Sequence, residues 1–256
     1  RDEFIELTNI LINYMHGYDD KSYFLNSEVI LLDEVIRELD QGFSRPFLCR
    51  SEAGDEYIVK GIQSNRRSQI SEWVCGNLAK ILGLPIAEFS LVEVPFELWE
   101  ELPKSLKGIG SGVSFGSKKV ARASWFEQFN TDFVPIELQC RIIAFDLWIK
   151  NMDRNRMNPN LLYQADNDEL IIIDHNNAFD HCFDFQSFVE THIFRKALSY
   201  YDDIINRSEI ESCFDRALKY VDDICNTLPA SWKWANLEED LPADYDFEFM
   251  HRTLGR

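Results

Sequence analysis

Residues 153–158 read DRNRMN, and further on an apolar run closes as LIIID, ending at Asp174. An Asp, an Asn five positions later and a second Asp after a strand-like stretch are oxygen donors. They could surround a magnesium-bound phosphate, or they could be ordinary turn chemistry in a loop between two strands. Transfer of a phosphoryl group from a polyanionic nucleotide makes three demands. A divalent cation and a lysine must neutralise phosphate oxygens, and a carboxylate must orient the incoming hydroxyl and accept its proton. Asp153 and Asn158 match the pairing of a catalytic carboxylate with a metal-binding amide, and Asp174 matches the later metal-binding carboxylate. Lys60, which ends EYIVK, is the candidate for the phosphate lysine, although a lysine at a strand end can simply snorkel to solvent. Glu72 lies away from the large apolar residues Ile70, Trp73, Val74, Leu78 and Ile81 of its helix. It shares its side with Cys75, Gly76 and Ala79, spaced at i+3, i+4 and i+7. A position opposite the core face is by default a solvated one, but the small-residue face suggests close packing on that side too, and with it the alternative of an inward acid that needs a cation. Each piece alone is weak, but the order is specific: Lys on a strand, Glu on the next helix, D-x-x-x-x-N after an apolar helix, then a hairpin ending in Asp.

The surrounding pattern supplies elements to carry these residues. PFLCR and EYIVKG flank the turn-like SEAGD as a hairpin. A helix is predicted over residues 68–82, ended by Gly83 and Pro85, and FSLVEV reads as a strand. A strongly apolar helix over 136–150 leads into the DRNRMN loop, and LLYQ-ADNDE-LIIID forms a second hairpin. Residues 28–39 are ambiguous between strand and helix, residues 100–124 read as irregular, and 2–16 has helical spacing. From Phe185 to about Leu228 the chain reads as helical. No internal repeat is present. The expected fold is α+β, with strands and one helix first, then mostly helix, in two lobes around a cleft.

Composition narrows the function classes. A 256-residue chain with 45% hydrophobic residues and 19 Phe can bury a sizeable core. The net charge of −18 argues against nucleic acid and against an anionic membrane surface as partners. The six cysteines at 49, 75, 140, 182, 213 and 225 form no C-x-x-C pair. They read as reduced, mostly buried thiols. With no signal-like start and no apolar run near the ~18 residues of a membrane span, the expectation is a cytoplasmic protein.

In order, RPFLCRSEAGDEYIVKG, SEWVCGNLAKILGLPI, FGSKK, FDLWIKNMDRNRMNPNLL and LIIIDHNNAF resemble the compact HipA-like kinases of bacteria. The last two also resemble the motifs of type II phosphatidylinositol 4-kinases, which share the distant fold. The resemblance covers about residues 28–256. It implies a single two-lobed, protein-kinase-like domain: a mostly β N-lobe over 1–100 with one key helix and an N-terminal helical extension, a link over 101–125, and a mostly helical C-lobe over 126–256. It implies ATP and Mg2+ as cofactors and a Ser or Thr of a protein as acceptor. Lys60 then contacts phosphate with Glu72 as its helix partner, Asp153 is the catalytic base, and Asn158 and Asp174 hold magnesium. GSGVSFGSKK falls at or near the inter-lobe link, with backbone at Phe115 and Gly116 against the adenine edge.

Asp146 reads either as support for the catalytic loop or as an exposed helix charge. Arg154 reads as a surface arginine or as an aid to phosphate charge, and Ser51 as an autophosphorylation candidate. No G-x-G-x-x-G precedes Lys60, so the phosphate cover must differ. M-D-R stands for H-R-D and D-H-N for D-F-G, which suits the HipA-like branch. No DNA-binding module is recognisable, and an antitoxin-like partner is left open by the resemblance. The alternatives are a lipid kinase, disfavoured by the missing basic face and palmitoylation patch, and a nucleotide-binding pseudokinase, disfavoured by the intact Asp153, Asn158 and Asp174.

Overall fold

The computed structural model describes residues 28–40 and 45–255. The helix expected over 2–16 lies outside them. Five strands close into a barrel in the order β1–β2–β3–β5–β4. β1 (Val29–Glu38), β2 (Phe47–Ser51) and β3 (Glu56–Lys60) follow one another in sequence. β3 hands the chain through the tight turn 62–64 to helix α1 (Arg66–Ile81). Asn65 starts that helix, its side chain accepting from the Ser68 amide at 2.8 Å. Gly83, at φ +61°, lets the chain leave it. β4 (Phe89–Val94), the short α2 (Phe96–Glu101) and β5 (Gly112–Lys118) complete the barrel unit.

Two segments settle differently from their sequence patterns. The ambiguous 28–39 run is β1, a strand with two irregularities in its register against β2. Residues 112–118, expected to be irregular and to belong to the inter-lobe link, form the barrel strand between β3 and β4. Gly116 is needed there because a Cβ would come within 2.5 Å of Val92 Cγ1. Inside the barrel Leu32, Phe47, Cys49, Tyr57, Val59 and Val92 form one core.

A three-stranded sheet follows: β6 (Ala123–Trp125), then, after α3 (Ile136–Trp148), the hairpin β7 (Leu161–Gln164) and β8 (Glu169–Ile172). The stretch after Phe185 is mostly helical but broken into α4 (Phe185–Thr191), α5 (Leu198–Tyr201), α6 (Ile204–Leu218) and α7 (Val221–Asn226), with α8 (Phe247–Gly255) near the end. The second core runs from α1 through α3 and β8 to Trp232 and Leu254. Because it includes α1, that helix is buried on nearly every side, and Gly76 sits against the Phe89 ring, 2.7 Å from where its Cβ would be.

C-terminal residues fasten α1 and the adjacent β5. Trp73 Nε1 donates to Thr227 Oγ1 at 2.8 Å, Arg66 Nε donates to the Trp234 carbonyl at 3.1 Å, and Trp232 Nε1 reaches the Val113 carbonyl at 2.9 Å. All six cysteines are free thiols. Cys49, Cys75 and Cys140 are buried, Cys213 and Cys225 partly so, and Cys182 is exposed, so only half meet the expectation of burial. Among the described residues no helix is long and apolar enough to cross a membrane.

Candidate active site

A cleft of about 1370 Å³ opens between the barrel and the three-stranded sheet, and Lys60, Glu72, Asp153, Asn158 and Asp174 all line it. The structure thus brings these five side chains together. Lys60 closes β3 and points inward. Its ammonium bonds Glu72 Oε1 and also Asp174 Oδ1, the latter at 2.7 Å. One buried cation is shared by two carboxylates, and the electrostatics follow. Burial alone would lower the Lys60 pKa, but Asp174 and Glu72 together raise it above its ordinary value. Burial pushes Glu72 up, offset in part by Lys60 and reinforced by the charge of Asp174. Burial also pushes Asp174 up, but Lys60 outweighs it and holds that carboxyl below its usual range. Glu72 is fixed from the other side by the His175 backbone amide, 2.9 Å from Oε2.

Asp153 sits in the loop between α3 and β7 with its carboxylate held by three side-chain amides. Asn158 Nδ2 donates to Oδ1 at 3.0 Å; Asn160 and Asn177 donate to Oδ2 at 3.2 and 3.1 Å. Since Asn158 bonds Asp153 through its nitrogen, its amide oxygen remains available for a cation. Asp174 is in the left-handed region at φ +61°, an uncommon state for a residue other than Gly.

Among the described residues no three His, Cys, Asp or Glu converge into a metal cage. Of the carboxylate and amide oxygens that line the cleft, those of Asp174 and Asn158 are the pair expected to hold a cation. Such hard oxygens fit magnesium, which takes few protein ligands and completes its octahedron with phosphate and water.

Behind the loop lies a buried ionic brace. Asp146 is fully buried, so of its two readings the exposed helix charge is excluded. It receives Arg154 Nε at 2.7 Å, Asn151 Nδ2 at 2.8 Å and His192 Nε2 at 3.1 Å. Burial would raise its pKa, but Arg154 and His192 hold it well below the usual carboxylate range. Arg154 is equally buried, which corrects both expectations for it: it is neither on the surface nor facing the cleft. Its guanidinium also binds the carbonyls of Asn160 (2.6 Å) and Ile173 (3.2 Å) and meets His175 Nε2 at 3.2 Å. Burial lowers the pKa of both histidines, against the pull of Asp146, and pushes His175 down to about 3.

Other expected positions separate. Phe115 lines the cleft, stacked on Phe89 at 5.5 Å. Gly116 does not line it and faces Val92 in the barrel. Ser51 is buried at the end of β2 with no hydrogen bond to its hydroxyl, and the SEAGD turn is not part of the cleft wall. Leu39, Arg45 and Pro46 line the cleft instead. Sequence reasoning missed Asn160, Asn177, His175 and His192. The one available signal was the lone acid in the apolar run IIAFDLW, which demands a buried cation nearby.

A lysine clasped by a helix glutamate beneath a barrel, facing a D-x-x-x-x-N loop and a strand-end aspartate, has the parts of a kinase. The chain belongs to the HipA-like kinase family, whose profile matches residues 32–256. Among solved structures it is similar to a Helicobacter pylori proinflammatory kinase, CtkA, at 12% identity and a TM-score of 0.48, over 88% of this chain and 91% of that one. No curated protein matches the chain.

Proposed function

We propose that this kinase transfers the γ-phosphoryl group of ATP, with magnesium, to a serine or threonine hydroxyl of a protein. The observation that carries this reading is the convergence of Lys60, Asp153, Asn158 and Asp174 on one cleft. In this reading the barrel with α1 is the smaller lobe, the remainder the larger, and residues 119–122 between β5 and β6 are the link.

Leu48 and Ile58 on the barrel side of the cleft and Leu162 and Ile172 on the sheet side would sandwich the adenine. Lys60 would exchange its bond to Asp174 for a phosphate oxygen while Glu72 keeps its ammonium aimed. Asn158 and Asp174 would hold the magnesium that neutralises the phosphoryl oxygens during transfer. Asp153 would orient the hydroxyl and take its proton as the new oxygen–phosphorus bond forms. The bond from the γ-phosphorus to the bridging oxygen breaks in the same step, and ADP leaves with that electron pair. The cleft exceeds the ~300–1,000 Å³ usual for small-molecule pockets, which gives the acceptor room beside the nucleotide.

Incubation with γ-labelled ATP and magnesium tests the reading. Label on serine or threonine is expected, abolished by a chelator and in both Asp153→Ala and Asp174→Ala. Full activity in both variants refutes the mechanism, and label confined to added phosphoinositide refutes the protein acceptor.

A further inference from the structure

Asp153, in the lining of the cleft, accepts from three side-chain donors. An ionised carboxylate offers about four acceptor positions, two on each oxygen. Asn160 and Asn177 both donate to Oδ2, and Asn158 donates to Oδ1. Three positions are filled, two by amides of the loop that carries Asp153 and one by an amide from another segment. Asn158 comes from the loop tip. Asn160 precedes β7 and is 3% exposed, with its carbonyl pinned by Arg154. Asn177 comes from the turn after Asp174 and is exposed.

We propose that Asn160 and Asn177 are positioning residues for Asp153, which fill Oδ2 and leave one acceptor position, on Oδ1, for the hydroxyl to be phosphorylated. This rests on the reading of Asp153 as the catalytic base. The physical reason is rotational. The terminal torsion of an aspartate is broad, so an untethered carboxylate would swing its lone pairs past the hydroxyl. Two donors on one oxygen and one on the other fix the plane of the group and select the oxygen that receives the proton. Stability gives a poor alternative account of Asn177, because a hydrogen bond at an exposed position adds little against competing water. Asn177 also joins the Asp174 segment to the Asp153 loop, so the carboxylate that faces the cation and the one that faces the hydroxyl are held in register.

The test uses the full chain with γ-labelled ATP, magnesium and dephosphorylated casein as acceptor. It compares Asn177→Ala, Asn177→Asp and Asp153→Asn. Misplacement of a reacting group by about an ångström costs on the order of 100-fold. Accordingly, Asn177→Ala should lower kcat by roughly 10- to 100-fold while KM for ATP stays within about twofold of the parent value. Asn177→Asp keeps the shape but replaces a donor with a second carboxylate, so it should be slower than Asn177→Ala. A role in packing alone would rank the isosteric aspartate nearer the parent. An Asn177→Ala variant with unchanged kcat overturns the inference, as does an aspartate variant faster than the alanine one. Asp153→Asn distinguishes the underlying failure: if it stays active, the base assignment itself falls. If it is inactive while both Asn177 variants are unimpaired, only the positioning role falls.

Discussion

Replacement of Arg154 by methionine tests the brace beneath the Asp153 loop. The substitution keeps an unbranched side chain but removes the buried guanidinium that binds Asp146 at 2.7 Å. Asp146 retains Asn151 and His192, yet its charge, with no solvent exposure, loses its strongest counter-ion. Breaking one side of a buried ion pair typically costs about 3–5 kcal/mol. The carbonyls of Asn160 and Ile173 lose a donor as well. For a domain of this size ~1 kcal/mol moves Tm by about 2–4 °C, so the expected fall is roughly 6–20 °C. Thermal unfolding followed by circular dichroism reads it directly. Asp146→Asn belongs beside it in a double-mutant cycle. Since both changes remove the same contact, the double variant should be less damaged than the sum of the singles by about 1–3 kcal/mol. A fall below ~2 °C for Arg154→Met, or strict additivity in the cycle, would refute the idea that this pair holds the loop.

Two further perturbations follow from burial. His175 is pushed from 6.5 to about 3 by burial, so it stays neutral in the fold while the unfolded chain takes up a proton near 6.5. Its contribution is therefore full above that pH and is lost progressively as pH falls from there toward about 3, because over that range the unfolded state binds the extra proton. Between pH 7.5 and 5 the parent should lose about 2 kcal/mol more stability than His175→Gln in urea titrations; equal losses would discount the histidine. Gly76→Val should press α1 away from Phe89, costing about 1–3 kcal/mol and reducing ATP turnover by withdrawing Glu72 from Lys60. Turnover equal to the parent would show that Glu72 is placed by other contacts.

The sequence made the hairpins, α1 and α3 readable because their punctuation is local: SEAGD and ADNDE between apolar runs, and Gly83 with Pro85 after the helix. β1 was ambiguous for a reason the register supplies. Its buried residues Leu32 and Val35 are three apart, a helical spacing, and the pairing slips between Leu32 and Glu34. A bulge adds a residue and breaks the two-residue alternation that marks a strand. β5 was hidden by composition, since GSGVSFGS reads as a loop. Its Gly116 serves the tight approach to Val92 inside the barrel, a contact with no trace in local pattern.

At the site, what could be read were the groups whose chemistry fixes both residue type and order: Lys60, Glu72, Asp153, Asn158 and Asp174. What could not be read was the apparatus that holds them. Asp146 meets His192 across 46 positions, and the partners of Arg154 include main-chain carbonyls, which carry no residue identity. An arginine in a polar loop is by default a solvated arginine. Only the lone aspartate in IIAFDLW contradicts that default, because a charge carried into an apolar helix requires a partner from somewhere. The same asymmetry separates Asn158 from Asn160 and Asn177. In the proposed mechanism, a magnesium ligand must stand at a set spacing from Asp153 within one loop. A carboxylate can accept an amide from any segment that passes within about 3 Å, so those amides become visible only once the chain has folded.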